Sequence, residues 1–219
     1  MIGYKTFDSR EEWLKARKTI GGSDAAAVIG KSPYMSNVEL WMLKTGRAEP
    51  DPKISESPVV IYGTKAEEHL RKLFALDFPE FEVGYAPNNM WTHKGLPWAH
   101  ASLDFWMYDQ GGRFGVGEIK TALITNSRQK EKWDDQLPQH YFIQIIHNMM
   151  VTQADFGILV VQQKWERDND VLKVTKHFKM EADDHRRDIK YLALQEQAFW
   201  KHVEDDTCPA LILPELGRR

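Results

Sequence analysis

Ser102-Leu103-Asp104, followed about thirteen residues later by Gly117-Glu118-Ile119-Lys120, is the stretch that predicts how this chain folds. Side chains alternate between the faces of a strand, so Glu118 and Lys120 point the same way and the residue between them points the other way. Asp104 lies on a preceding segment that could pair with that strand and bring a second carboxylate to the same place. Two carboxylates and a backbone carbonyl suit Mg²⁺, which usually keeps several waters. The stretch therefore indicates a sheet that carries a metal-dependent phosphodiesterase site.

A second interpretation of the same residues stays open. Glu-x-Lys pairs are common on solvent-exposed strands, where they form cross-strand ion pairs. In a metal site, Lys120 would instead position or help deprotonate a water, or stabilise charge developing on a phosphate. Only the remainder of the chain can distinguish an exposed ion pair from a metal site.

Composition sets the class of protein. The chain has 219 residues, of which 42% are hydrophobic and 28% charged, as expected for one globular domain or one with a modest appendage. The net charge of -3 does not by itself indicate nucleic-acid binding. If the protein binds DNA or RNA, a local basic patch or a bridging metal must provide the attraction. The single Cys208 excludes an internal disulfide and fits a reducing cytosol. The sequence contains neither an apolar run of membrane-spanning length nor a signal peptide in its first ten residues.

The order of elements predicts an α/β sheet with a helical N-terminal part. Ser9 with Glu12 and Ser36 with Glu39 are capping boxes that each open a helix. We expect Ser23 or Asp24 to cap a helix that ends near residue 29, Gly46 to end the next helix, and a proline-rich loop at 50–58. A longer helix is predicted from Tyr62, strands over 81–85, 99–108, 114–121, 156–161 and 171–180, and helices over 138–152 and 183–203.

The helix predicted over 138–152 has a polar stripe. His140, Gln144, His147 and Asn148 fall at helical spacings of three and four, with apolar residues on the other side. Such a stripe faces either solvent or a functional site. In the second case, Gln144 would orient the attacking water or Lys120.

Two further groups of residues have both a structural and a functional interpretation. Glu67 and Glu68 are either ordinary surface acids near a helix N-terminus or, for Glu67, part of the acidic cluster. Arg17 and the Gly-Gly-Ser23 turn are either a simple helix cap with a solvated arginine or a phosphate-binding pocket.

The mildly basic segment 127–133 ends in Trp133 and either forms a solvated face or contacts a nucleic-acid backbone. His93, His100, His185 and His202 have no Cys or His partners at zinc-binding spacing, so we do not predict a structural zinc site.

Several short stretches, taken in order, resemble one family. The chain is similar to the lambda-exonuclease-like nucleases, the YqaJ-type viral recombinase family of the PD-(D/E)XK nuclease superfamily, over about residues 10 to 152. Besides the opening stretch, the matching segments are Trp13–Arg17 with Ile20-Gly-Gly-Ser23-Asp24-Ala-Ala, Ser32-Pro-Tyr34, Glu39-Leu-Trp41, Gly63-Thr-Lys-Ala-Glu67 leading to Phe74, and Tyr141-Phe-Ile-Gln144. Leu103 departs from the family, which often has proline there, but proline coordinates no metal.

The resemblance implies a fold, a set of roles and a domain organisation. The fold would be a restriction-endonuclease-like core with a mixed central sheet flanked by helices, in a single nuclease domain over 1–219 with a helical part at 1–60 and a catalytic core at 61–204. Asp104 and Glu118, with the Ile119 carbonyl, would bind Mg²⁺ or Mn²⁺. The remaining roles are assigned as follows: Glu67 completes the cluster, Lys120 activates water, Gln144 places Lys120 or that water, Arg17 and Ser23 hold a 5′-phosphate, and Ser102 lies near the scissile region.

The resemblance also implies an activity and partners. Family members digest one strand of linear double-stranded DNA from the 5′ end and leave a 3′ single strand for an annealing recombinase, and several form ring-shaped oligomers, notably trimers. It points to a phage or prophage protein in a bacterial cytoplasm, with no membrane partner. Two alternatives remain: an endonuclease of the same fold, and a non-catalytic DNA-binding protein.

Overall fold

The computed structural model describes residues 1–126, 133, 137–167 and 170–213. The described residues form two sheets with helices packed around them. The strands are β1 (Ile2–Thr6), β2 (Glu82–Gly84), β3 (Asn89–His93), β4 (Leu96–Ala101), β5 (Phe105–Tyr108), β6 (Phe114–Ile124), β7 (Phe156–Arg167) and β8 (Asp170–Glu181). The helices are α1 (Arg10–Ala16), α2 (Gly22–Val28), α3 (Asn37–Lys44), α4 (Pro52–Glu56), α5 (Pro58–Asp77), α6 (Gln139–Thr152) and α7 (Arg186–Glu204).

The larger sheet has the order β2-β5-β6-β7-β8 and is mixed, because β6 and β7 run parallel while the other neighbours are antiparallel. Parallel strands need a long crossover, and the segment between β6 and β7 supplies it with α6. The predicted mixed α/β sheet flanked by helices is therefore confirmed.

Helices cover both faces of this sheet. Ile119 packs with Leu70 and Phe74 of α5 on one face, whereas Val116 belongs to the core that contains Ile145 of α6 on the other. Because side chains alternate along β6, Glu118 points to the α6 face, as predicted from its spacing. A strand buried on both faces is a costly place for a carboxylate, so Glu118 needs partners from α6.

The predicted strand over 99–108 is wrong as a single element. The chain leaves the three-stranded sheet (order β1-β3-β4) after Ala101 and enters the five-stranded sheet at Phe105. Asn89 fixes the break, because its side chain accepts from the Leu103 N–H (2.9 Å) and donates to the Leu103 carbonyl (2.8 Å). Asp104 therefore sits at a junction between sheets and not inside a strand.

Two predictions in the N-terminal part are also corrected. The expected loop at 50–58 contains α4 and the start of α5, because Pro52 and Pro58 each occupy the first helical turn, where a proline N–H is not needed. The N-cap of α2 is Gly21, and Asp24 accepts from the Gly21 N–H (3.0 Å) instead of capping the helix itself.

Both predicted capping pairs open helices, but of the two only Ser36 and Glu39 show the reciprocal bond of a capping box, from the Ser36 N–H to the Glu39 carboxylate (2.7 Å). Ser9 accepts from Glu12 N at α1 and Ser36 from Glu39 N at α3, and Gly46 follows α3 with a left-handed φ of 71°.

Strands β1 and β3 were not predicted. Trp133 is buried and stacks on Tyr141, while 127–132 lies outside the described residues. No helix in the described ranges is long and apolar enough to cross a membrane.

Candidate active site

A cleft of about 730 Å³ lies where the two sheets meet, between α1, α2 and α5. Its lining includes most of the residues singled out in the sequence: Arg17, Ser23, Glu67, Ser102, Asp104, Glu118 and Gln144. Carboxylates and arginines thus line one cavity. An acidic group beside basic side chains suits a negatively charged substrate that binds together with a cation.

Glu118 is the centre of this group. Only 3% of it is exposed, yet three side chains donate to its carboxylate. Lys120 (2.6 Å) and Gln144 (2.5 Å) both donate to Oε1, and Asn148 donates to Oε2 (3.1 Å). The structure therefore brings Glu118, Lys120 and Gln144 together. The strand alternation predicted that Glu118 and Lys120 share a face, whereas the helix stripe left open whether Gln144 faces solvent or the site.

Asp104 lies beside this group at the sheet junction. Its Oδ2 accepts from the Ile119 N–H at 2.7 Å, which places the carboxylate against the strand that carries Glu118. Burial, and then the charge of Glu118, raises the pKa of Asp104 well above its ordinary value. A cation bound beside Asp104 would favour its ionised form.

Glu67 and Lys120 complete the cluster. Burial and the charge of Glu118 also raise the pKa of Glu67, whereas Glu68 is exposed and pairs with Lys72 at 2.6 Å. Burial alone would lower the pKa of Lys120, but the carboxylates of Glu118 and Asp104 raise it above its ordinary value. Lys120 is thus an ammonium ion in this state and acts as a hydrogen-bond donor.

A basic group lies at the other side of the cleft. Arg17 stacks on the Trp13 ring (4.4 Å to the centroid) and reaches the Ser23 hydroxyl at 3.5 Å. The Trp13 Nε1–H donates to the Ser102 hydroxyl at 3.2 Å. One indole therefore links Arg17 and Ser102, two residues far apart in sequence.

Several residues of the cleft were not assigned from the sequence. Arg10 and Arg71 add two positive charges, and Arg71 donates to the Asp104 carbonyl (3.3 Å) while stacking on Tyr85 (3.5 Å to the centroid). Asn148 contacts Glu118 directly. The polar stripe of α6 was the available signal for Asn148, but neither arginine has a distinctive pattern around it.

The other members of the α6 stripe do not touch Glu118. His147 is fully buried and bonds Glu196 of α7 (2.7 Å) and the His100 carbonyl (2.9 Å). His140 packs against Tyr141 and Tyr34. The stripe is therefore partly a functional surface and partly a core contact.

The donor set fits a hard divalent cation. Among the described residues, no three His, Cys, Asp or Glu side chains are already gathered as a metal cage. Mg²⁺ does not require one, because it is usually held by one or two carboxylates, waters and substrate phosphates. Asp104 and Glu118, two neighbouring carboxylates that line an open cleft, match that requirement.

Comparisons with known proteins agree with this geometry. The solved alkaline exonuclease LHK-Exo from Laribacter hongkongensis has the same fold, with a TM-score of 0.63 at 18% identity over 90% of this chain and 93% of that one. Its complex with dAMP gives a TM-score of 0.64 at the same identity and coverage. This likeness confirms the predicted PD-(D/E)XK fold class.

Sequence comparison identifies the family. The uncharacterized protein YqaJ of Bacillus subtilis (strain 168) is 29% identical over 189 residues, which are 80% of this chain and 55% of that protein. The chain thus spans about half the length of that relative. The model of the YqaJ-like viral recombinase domain matches residues 12–155. From the shared fold, the ordered motifs and this match, we conclude that the chain belongs to the YqaJ-like viral recombinase domain family.

Proposed function

We propose that this protein is a Mg²⁺-dependent 5′–3′ exonuclease that degrades one strand of linear double-stranded DNA and leaves a 3′ single strand. One observation carries the proposal: Asp104 and Glu118, with Lys120 hydrogen-bonded to Glu118, lie in the same cleft as Arg17, Ser23 and two further arginines. A nuclease that starts at a DNA end needs both a hydrolytic centre and a terminal phosphate pocket. The alkaline exonuclease of the same fold has been solved in complex with dAMP, a nucleoside 5′-monophosphate.

Asp104 and Glu118, with the Ile119 carbonyl, would hold Mg²⁺ or Mn²⁺, and Glu67 would complete the acidic cluster. A bound ion of this kind polarises a phosphoryl oxygen and lowers the pKa of water. The protein's own contribution is to hold the two carboxylates in a fixed orientation. Hydrogen bonds from Lys120, Gln144 and the Ile119 N–H do so.

Lys120 would act as a positive donor. Its ammonium group orients the attacking water and stabilises the charge that develops on the scissile phosphate. Gln144 places Lys120 by sharing the same Glu118 oxygen. Water adds to phosphorus, the bond to the 3′-oxygen of the terminal nucleotide breaks, and that oxygen takes a proton.

Each such cut leaves a new 5′-phosphate on the remaining strand. Arg17 and Ser23 would hold it, with Ser102 placed nearby through Trp13. Because an arginine binds a phosphate by two parallel hydrogen bonds, the pocket would favour phosphorylated ends. The product of one cycle is then the substrate of the next.

The wider assignments belong to the same proposal. We take the chain to form one nuclease domain that works as a homo-oligomeric ring, with a trimer as the expected form, in the cytoplasm of a phage-carrying bacterium. An annealing recombinase would receive the 3′ strand. A ring that encloses DNA would also explain how a chain of net charge -3 remains bound.

The test is digestion of linear and covalently closed duplex DNA with Mg²⁺, comparing 5′-phosphate and 5′-hydroxyl ends. We expect the linear 5′-phosphorylated duplex to be degraded fastest and the circle to survive. Lys120→Ala should lose cleavage by several orders of magnitude while still binding DNA. Arg17→Ala should retain cleavage but lose the preference for phosphorylated ends.

Three outcomes would contradict the proposal in different ways. Cutting of the closed circle would indicate an endonuclease. An unchanged end preference in Arg17→Ala would remove the phosphate pocket. No cleavage of either DNA by the wild type would indicate a binding protein.

A further inference from the structure

Asn148 is the one donor to Glu118 that the proposed reaction does not use. It lies one turn after Gln144 on α6, and only 1% of it is exposed. Its Nδ2 donates to Glu118 Oε2 at 3.1 Å, whereas Gln144 and Lys120 share Oε1. Each oxygen of the carboxylate is therefore held by an amide of the same helix.

The orientation of the Asn148 amide has a cost. Its Oδ1 is buried and has no hydrogen-bond partner among the described residues. Burying an acceptor in this way is unfavourable, and such groups in folded proteins call for an explanation. Turning the amide over would place Oδ1 against the Glu118 carboxylate, where two acceptors repel. The contact with Glu118 therefore determines the orientation.

Packing locks the amide in that position. A Cβ at Gly22 would lie 2.6 Å from Asn148 Oδ1, so the oxygen rests directly against the glycine backbone. The helix behind it is also fixed, because the preceding residue, His147, is bonded to Glu196 and to the His100 carbonyl. The contact with Gly22 restrains the Asn148 side chain, and the hydrogen bonds of His147 restrain α6 beside it.

A carboxylate offers about four lone-pair sites. Lys120, Gln144 and Asn148 occupy three of those on Glu118. We propose that Asn148 is a positioning residue: it fixes Oε2 of Glu118 so that the remaining lone pair faces the metal. The inference rests on the proposed function, in which Glu118 is a metal ligand.

The test compares Asn148→Ala and Asn148→Leu with a matched control, Thr152→Val. Thr152 is equally buried on the same helix face, but its hydroxyl donates to the Asn148 carbonyl (2.7 Å) and not to Glu118. Mn²⁺ binding to the full chain without DNA is measured by titration calorimetry. Thermal unfolding in EDTA is measured in parallel.

Both Asn148 variants should bind Mn²⁺ about 10- to 100-fold more weakly than the wild type, the usual effect of losing a partner that orients a ligand. Thr152→Val should keep the wild-type affinity even if its melting temperature falls. The inference is overturned if Asn148→Leu binds Mn²⁺ as tightly as the wild type. It is equally overturned if Thr152→Val loses the same affinity, because the effect would then be structural.

Failure of the proposed function gives a different result. A wild type that does not bind Mn²⁺, or that cleaves DNA in EDTA, contradicts the metal site itself and removes the inference with it. Normal metal binding by the wild type with no effect in Asn148→Leu contradicts only the role of Asn148.

Discussion

At the scale of single residues, the site depends on where charge is buried. The alternation along β6 was sufficient to predict that Glu118 and Lys120 share a face, because it is fixed by backbone geometry. The spacing along α6 put Gln144 on a polar stripe but left open whether that stripe faces solvent or the site. The same reasoning could not predict Arg71 or Arg10. Their positions depend on how α1 and α5 pack, and an arginine on a helix surface has no distinctive local pattern.

Buried histidines show the same dependence on packing. His100 has no partners at zinc-binding spacing, and the structure places its ring against Gly21, where its Nδ1 bonds the Thr19 hydroxyl at 2.8 Å. Burial, and then the charge of Arg17, lowers the pKa of His100 to about 3. The native protein therefore keeps this ring neutral.

This predicts a pH dependence of stability. Because the folded pKa lies below the ordinary value of 6.5, the unfolded chain binds the proton first as the pH falls. The contribution of neutral His100 to the free energy of unfolding is fully present above about pH 6.5. It is lost between pH 6.5 and pH 3, by about 1 kcal/mol per pH unit. When the free energy of unfolding is measured in urea between pH 8 and 4, it should decline less steeply for His100→Asn than for the wild type. Parallel declines would contradict the assignment.

At the scale of elements, the junction between the two sheets determines where the site forms. Sequence patterning identified most helices and strands, but it merged β4 and β5 into one strand. Both segments favour extended backbone, and only long-range pairing separates them. At Pro52 and Pro58 a loop was predicted where helices begin, because proline disrupts a helix interior but is favoured in its first turn.

Asn89 maintains the junction, and its removal should affect both stability and catalysis. Asn89→Ala leaves the buried N–H and carbonyl of Leu103 without partners, which costs on the order of 2–4 kcal/mol. Because Asp104 follows directly, cleavage should fall in the protein that remains folded. The free energy of unfolding and the cleavage rate are measured together.

Asn37 offers a matched control for that prediction. It is similarly buried and also bonds one backbone carbonyl and one backbone N–H, those of Ala210 (2.8 Å) and Ile212 (3.0 Å), away from the cleft, whereas Asn89 additionally donates to the Ala86 carbonyl (2.9 Å). Asn37→Ala should lower stability and leave the rate unchanged. Equal loss of cleavage in both variants would show that general destabilisation, not the position of Asp104, is responsible.

At the scale of the whole molecule, the distribution of charge matters more than its sum. The net charge is -3, but Arg10, Arg17 and Arg71 line the same cleft as the carboxylates. A substrate phosphate and a divalent cation would satisfy both groups at once. Composition alone could not reveal this, because Arg10 and Arg17 lie at the two ends of α1 whereas Arg71 comes from α5.

The most direct test of the central claim is the initial rate of degradation of a linear 5′-phosphorylated duplex as the Mg²⁺ concentration is varied, for the wild type and Glu118→Gln. The substitution preserves shape and removes the charge that would hold the ion. We predict that the wild-type rate saturates with Mg²⁺ and vanishes in EDTA, and that Glu118→Gln is slower by about three orders of magnitude or more while remaining folded. A wild type that is active in EDTA, or a Glu118→Gln variant with a near-normal rate, would show that cleavage does not need a cation held by Glu118.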